Sequence, residues 1–262
     1  MKLSQLTLRL AACSIFLGTV LLAQSPGTLT TTSMASYGPI VSPDSIAAIW
    51  GAGLSGSATP STTSPLPTSL GGAQVVITDS TGAKVAAPLF LVSPTQINFY
   101  VPATVALGAA TVTLTTNTSA NGETGILLVS NVAPAIFTAN ANGKGVPAAD
   151  ILTVSSADVA TYSSPFSTTS PYTATTVNLS NTGTSVYLVL YGTGIRRHSL
   201  NPVIATIGGV AVPVLYAGAQ GQFPGLDQVN IGPLPASLVN MGLVSVMLTV
   251  DGVPANTVQL MF

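Results

Sequence analysis

Few side chains in this 262-residue chain can do acid–base, nucleophilic or metal chemistry, and their spacing restricts what they can do together. The one histidine, His198, stands beside Arg196 and Arg197. A serine nucleophile commonly needs a histidine as its base, but no serine here sits in a nucleophile-elbow pattern. Arg196-Arg197-His198 therefore reads as a solvated loop tip, with pairing to an anionic glycan or a carboxylate as the chemical alternative. The seven acids, Asp44, Asp79, Glu123, Asp150, Asp158, Asp227 and Asp251, fall mostly at turns. Their spacing neither sets up a carboxylate pair for glycoside hydrolysis nor builds a calcium loop. One cysteine, Cys13, and one histidine make no zinc site. Gly51-Ala52-Gly53-Leu54-Ser55-Gly56 satisfies the dinucleotide-binding pattern, but that mechanism needs a helix N-terminus next. The next residues are Ser57-Ala58-Thr59-Pro60, which cannot begin a long helix. Tyr162, Phe166 and Tyr172 would make either an aromatic platform for sugars or the cap of a core under a long loop. The residues thus predict no catalytic group, no cofactor and no metal. The ligand-binding candidates are two loops, Arg196, Arg197 and His198 in one, Tyr162, Phe166 and Tyr172 in the other.

Composition narrows the class further. Charged residues make up 5% and hydrophobic ones 47%, against a usual charged share of about 25%. Disorder requires the opposite balance, so the chain folds. Lys2 and Arg9, with the apolar run Leu10 to Ala23 after them, read as a signal peptide over 1–23 with cleavage after Ala23. Leu10-Ala11-Ala12-Cys13 matches a lipoprotein box, but most of the apolar run comes after the cysteine rather than before it, so ordinary cleavage is expected. The exported part then keeps Lys84, Lys144, Arg196 and Arg197 against seven acids, a net charge of 4 − 7 = −3, and no cysteine. Four scattered cations cannot neutralise a run of phosphates, which excludes nucleic acid as a partner. No apolar run reaches the length of a membrane-spanning helix.

The elements that must position these residues are strands. Gln74 to Thr78, Ala110 to Thr115 and Val244 to Val250 are β-branched and partly alternating, and Gly, Pro, Asn or Asp bounds each of them. The chain also repeats itself. Ile49-Trp50-Gly51-Ala52-Gly53-Leu54 aligns with Leu190-Tyr191-Gly192-Thr193-Gly194-Ile195. Leu70-Gly71-Gly72-Ala73 aligns with Ile207-Gly208-Gly209-Val210, and Pro88-Leu89-Phe90 with Pro213-Val214-Leu215. Gln96-Ile97-Asn98-Phe99 aligns with Gln228-Val229-Asn230-Ile231, and Val112 to Thr115 with Val246 to Thr249. The expected organisation is a flexible segment over 24–37, a sandwich over 38–130, a connecting segment over 131–181 packed on the second copy, and a sandwich over 182–262. Tyr162 to Thr176 reads as a loop within the connecting segment. Asn98 and Asn230 are expected to tie neighbouring loops through their amides.

These blocks carry a resemblance. Ser42-Pro43-Asp44-Ser45-Ile46, Leu66-Pro67-Thr68-Ser69-Leu70-Gly71-Gly72, Ser93-Pro94-Thr95-Gln96-Ile97-Asn98-Phe99 and Gly225-Leu226-Asp227-Gln228-Val229-Asn230 succeed one another in the order found in a known family. Over about 38–262 the chain resembles the uncharacterised Ig-like "Solibacter C-terminal" domain, abundant in Acidobacteria. Each half is similar to IPT/TIG-type immunoglobulin-like domains. The resemblance implies an all-β protein of two tandem immunoglobulin-like β-sandwiches, secreted or held at the bacterial cell surface. It brings no established catalytic residue. The function expected is a non-catalytic adhesion or scaffold role, with a carbohydrate-binding accessory module as the alternative and a hydrolase using a carboxylate pair further behind. The partner expected is a protein or polysaccharide at the cell surface.

Overall fold

The computed structural model describes residues 28–117, 122–179 and 183–262, so the expected signal peptide and Cys13 lie outside the described residues. The described chain is nearly all β, with one 3-10 turn at Ala236–Leu238. It separates into two compact units, 28–34 with 38–131 and 35–37 with 132–262. Each unit surrounds its own apolar cluster.

In the first unit, β1 (Thr28–Ser33), β2 (Ile46–Trp50), β3 (Ala73–Thr78), β4 (Lys84–Ala87), β5 (Leu89–Val92), β6 (Gln96–Tyr100), β7 (Gly108–Thr115) and β8 (Glu123–Val129) are the longer strands. They form two runs, β5–β6–β2–β1 and β1–β8–β7–β3, which share β1. Thr30–Ser33 pairs antiparallel with β2, whereas Thr28 and Leu29 pair parallel with β8. Within the segment 24–37, expected to be flexible, Thr28–Ser33 is therefore a strand and 34–36 a turn. The strand's backbone groups find partners on both runs, so it joins them, covering the edge of β2 in one and of β8 in the other. Alternation places Val75 and Ile77 of β3, Val112 and Leu114 of β7, and Ile97 and Phe99 of β6 in one core. Burying each contributes about 1.5–3 kcal/mol.

The second unit contains β9 (Ala149–Ser155), β10 (Ala160–Ser163), β11 (Thr184–Thr193), β12 (Ile204–Ile207), β13 (Val210–Val212), β14 (Val214–Ala219), β15 (Asp227–Ile231), β16 (Leu243–Val250) and β17 (Val258–Met261). One sheet runs β10–β9–β11–β15–β14, and the other joins β13, β12, β16 and β17. Strand β9 takes beside β11 the place that β1 takes beside β2, and Thr176 pairs parallel with Met261 as Thr28 does with Thr124. Tyr162 lies within β10, opposite Leu152, rather than in a loop. Ala160–Ser163 supplies uncharged, partly β-branched residues that satisfy β9's open edge.

The repeat is written into the strand registers. Ile49↔Ile97 and Trp50↔Gln96 in the first unit match Leu190↔Val229 and Tyr191↔Gln228 in the second. The same bulge recurs as well. Leu89 pairs with Phe99 and Leu91 with Asn98, just as Val214 pairs with Ile231 and Tyr216 with Asn230. The glycine pairs are the exception. Both are hairpin turns with φ of 56° and 79° at Gly71 and Gly72, and 58° and 82° at Gly208 and Gly209, as a type I′ loop requires. Against the shared Val112 and Val246, however, Ile207 corresponds to Ile77 and not to Leu70. The turn equivalent to Gly208-Gly209 is Asp79 to Gly82, between β3 and β4, so the first unit has an extra hairpin arm at Ser69–Leu70.

That substituted turn is held by one carboxylate. Asp79 Oδ1 accepts from Thr81 Oγ1 at 2.6 Å, Thr81 N at 2.9 Å and Ala83 N at 3.1 Å, while Oδ2 accepts from Ala106 N at 3.0 Å. These donors, the Thr81 hydroxyl foremost, hold the carboxyl at about 2, against its ordinary 3.8. A depressed folded-state pKa means the stabilisation is complete above the ordinary value and is lost as pH falls through the folded one. The first unit is therefore expected to lose stability between about pH 4 and pH 2. Acid titration monitored by fluorescence of Trp50, the only tryptophan, should show this slope, and Asp79→Ala should flatten it.

Candidate functional site

The glycine-rich turns after β2 and β11 do the same mechanical work. Gly53 and Gly194 have φ of 71° and 75°, which reverses the chain and drives Leu54 and Ile195, each 1% exposed, into the cores. No helix comes after Gly56, so the dinucleotide pattern has no dipole end to offer a pyrophosphate. In the second unit the turn is pinned by Asp227, which is fully buried. Its Oδ1 meets Arg196 Nε at 2.5 Å, and its Oδ2 accepts from Ile195 N at 2.7 Å and Arg196 N at 3.2 Å. Arg196 Nη2 donates to Leu226 O at 2.7 Å. Burial pushes the Asp227 carboxyl up, against the opposing pull of the Arg196 guanidinium and the Ile195 N–H.

The three cationic-loop candidates are adjacent but unlike. Arg196 is turned inward onto Asp227, and Arg197 and His198 are half-buried. The His198 ring nitrogens approach Ser199 O at 2.7 Å and Ala217 O at 3.1 Å. Beyond them, Asp251 accepts from Ser199 N at 2.8 Å and Ser199 Oγ at 2.6 Å, and these bonds, the hydroxyl's first, hold its carboxyl below the usual range. The loop is thus fastened by a carboxylate at each end.

The aromatic candidates divide. Phe166 is buried and meets Tyr172 edge-to-face, with ring centroids 5.5 Å apart at 71°. Asn140 clamps the Tyr172 backbone, accepting its N–H at 2.9 Å and donating to its carbonyl at 2.7 Å. Tyr162 is 54% exposed on β10. Near it, Tyr191 donates to Asp150 Oδ2 at 3.0 Å, and burial, together with that carboxylate, raises the Tyr191 phenol. Two shallow clefts, of 160 and 320 Å3, flank Thr176–Asn178 and have no titratable side chain in their walls.

Sequence reasoning does not single out two further features. One is the outer face of β14 and β15, where Tyr216, Gly218, Gln228 and Asn230 stand together. The other is aliphatic. In the first unit Ile40, Ile126 and Leu128 face outward at 47%, 70% and 40% exposure; in the second, Ile204, Leu243 and Met247 do so at 56%, 50% and 51%. They lie on corresponding sheets, on β8 and its neighbour Ile40–Val41 in one unit, on β12 and β16 in the other. The legible signal for both features is an aromatic or aliphatic residue at the outward phase of a strand. Gln96 and Asn98 join each other, Nε2 to Oδ1 at 2.7 Å, and Gln228 and Asn230 do the same at 2.8 Å, so the two asparagines bond along their own strands where ties to loops were expected. Residues two apart on a strand share a face, so the nearest partner of each amide is the other.

The chain is thus a β-sandwich-like all-β protein, and no described helix is long and apolar enough to cross a membrane. No family model matches it, and no curated protein does. Among solved structures it is similar to the Bacteroides ovatus mixed-linkage glucan utilization locus protein SGBP-B, solved with a mixed-linkage heptasaccharide, at 15% identity and a TM-score of 0.35, covering 92% of this chain and 46% of that one. A likeness to the plexin A4 extracellular region has 8% identity and a TM-score of 0.25, covering 89% and 15%. This chain therefore spans less than half the length of either. At TM-scores this low, neither likeness identifies a function.

Proposed function

We propose that the chain is an exported, non-catalytic interaction module built of two tandem immunoglobulin-like sandwiches, serving adhesion or scaffolding at the cell surface. The observation that carries this reading is the pair of outward aliphatic faces. Ile40, Ile126 and Leu128 lie in a field of Thr and Ala, and Ile204, Leu243 and Met247 lie in one of Thr, Ser and Gln. In the first unit Ile40 pairs with Leu128 and Ile126 stands two residues before it, the kind of exposed apolar cluster that marks a contact surface. In the second, Met247 lies diagonal to Ile204 and Leu243 stands beyond Ser245. The recurrence of outward apolar residues on the corresponding sheet of each unit fits a module that docks through sheet faces. One such face binds loosely; two on one chain gain by avidity. The test is sedimentation of the purified full chain with intact cells of the strain that produces it. The expected result is co-sedimentation, with export to the extracytoplasmic fraction, reduced about tenfold when Ile126→Lys and Met247→Lys are combined. A chain that stays in the cytosol, or that sediments equally with both substitutions, overturns the reading.

A further inference from the structure

The second unit carries a feature that its counterpart lacks. The shared bulge re-aims the residue after it onto the outer face of the sheet. In the first unit that residue is Leu91, 7% exposed; in the second it is Tyr216, 42% exposed. The Tyr216 ring lies along its own strand over Gly218, where a Cβ would come within 2.9 Å of the phenol oxygen and 3.1 Å of Cζ. Its hydroxyl donates to Ala219 O at 2.5 Å. Only a glycine lets the ring lie this flat, and the hydroxyl bond keeps it there, so one ring face is fixed toward solvent.

Next to the ring, in register, stand Gln228 opposite Gly218 and Asn230 opposite Tyr216. Their mutual bond uses Gln228 Nε2 and Asn230 Oδ1. Among the described residues this leaves Gln228 Oε1 as an acceptor and Asn230 Nδ2 as a donor on the same side as the ring. The side chains of the strip itself carry no charge: Asp227 points to the opposite side of β15 onto Arg196, Asp150 lies two strands away on the same face and accepts from the Tyr191 hydroxyl, and His198 meets the β14 backbone at Ala217 O.

We infer that Tyr216, Gln228 and Asn230 form a subsite for a neutral pyranose saccharide. A pyranose has a C–H face that stacks on an aromatic ring and a rim of hydroxyls that both donate and accept. A flat, immobilised ring beside an open amide donor and acceptor complements both parts at little entropic cost. A nucleotide would bring phosphates to a strip whose own side chains include no cation, and a purely apolar ligand would desolvate two amides without replacing their hydrogen bonds. Equatorially linked glucans present the flattest C–H face, so they are the class that fits best.

This site rests on the reading of the chain as an interaction module and gives it a ligand class, but it lies on the sheet opposite Met247, so each can fail alone. The experiment is calorimetric titration of the full chain with cellohexaose, with polygalacturonate as the anionic control. Binding to cellohexaose is expected, weakened tenfold or more by Tyr216→Ala. Gly218→Val, which keeps the tyrosine but lifts its ring, should weaken it comparably while the far-ultraviolet dichroism and the melting of the second unit stay close to native. No heat with cellohexaose, a preference for polygalacturonate, or wild-type affinity in both variants overturns the assignment. Cell sedimentation that persists in Tyr216→Ala would leave the aliphatic faces standing independently.

Discussion

Asp227→Ala is expected to lower the stability of the second unit by about 3–5 kcal/mol, the usual consequence of removing one partner from a buried pair. The loss has two parts. The Ile195 and Arg196 N–H groups lose their acceptor in a buried position, and the Arg196 guanidinium, 19% exposed, loses its counter-charge. Asp227→Asn should cost less than Asp227→Ala yet stay destabilising, because an amide oxygen still accepts from Ile195 while Arg196 loses its counter-charge and its Nε acceptor. Burial raises the Asp227 carboxyl from its ordinary value against the pull of Arg196. A folded-state pKa above the ordinary value adds stability at low pH that is lost as pH rises through it. Acid alone is therefore not expected to release this turn, in contrast to the Asp79 turn. Urea unfolding monitored by tyrosine signals should resolve the two variants, with Trp50 fluorescence reporting an unchanged first unit. Equal midpoints for Asp227→Ala and the wild type would mean that the turn is held by its glycines and Ile195 alone.

Gly192→Ala should be the next most damaging change, at about 2–3 kcal/mol, within the usual range for overpacking. Gly192 has extended backbone, so conformation is not the difficulty. A Cβ there would lie 2.5 Å from Ala135 O and 3.0 Å from Ile195 Cδ1, because Ala135–Ile136 pairs directly against Thr193 and Gly192. The carbonyl cannot move without breaking the strand pair. Gly51, the matching residue in the first unit, is different. A Cβ there meets Leu54 Cδ2 at 2.7 Å, the end of a flexible side chain. Gly51→Ala is expected to cost less than about 1 kcal/mol, since leucine can change rotamer. Thermal melts of the two variants, read by tyrosine and by Trp50 respectively, should differ by several degrees. Comparable losses would show that the two turns are equally crowded.

The repeat shows where local sequence suffices and where it does not. Gln96-Ile97-Asn98 and Gln228-Val229-Asn230 are legible as strand because alternation is a property of neighbours in the chain. The partners of their amides are not. Each asparagine finds its partner two residues along the same strand, although Gln96 also reaches Met34 Sδ in the turn after β1. Gly71-Gly72 and Gly208-Gly209 align in sequence because both need two residues with positive φ, which glycine supplies. Which strand comes after the turn depends on pairing with β7 or β16, more than thirty residues downstream. Tyr162 has the Ser, Thr and Pro neighbours of a loop, yet the open edge of β9 draws it into a strand. The cationic triplet is visible as charge, but the inward turn of Arg196 depends on a carboxylate thirty-one residues away.

The amino-acid sequence alone is enough to specify strands, turns, the duplication and the scarcity of reactive groups, because periodicity, glycine placement and composition are local properties. The tertiary structure decides that Asp227 neutralises Arg196, that Thr28–Ser33 joins two strand runs, and that Tyr216 lies flat beside Gln228 and Asn230. Those outcomes depend on which distant strands share an edge and where a bulge redirects a side chain, and pairing between remote segments leaves no periodic trace in either segment by itself.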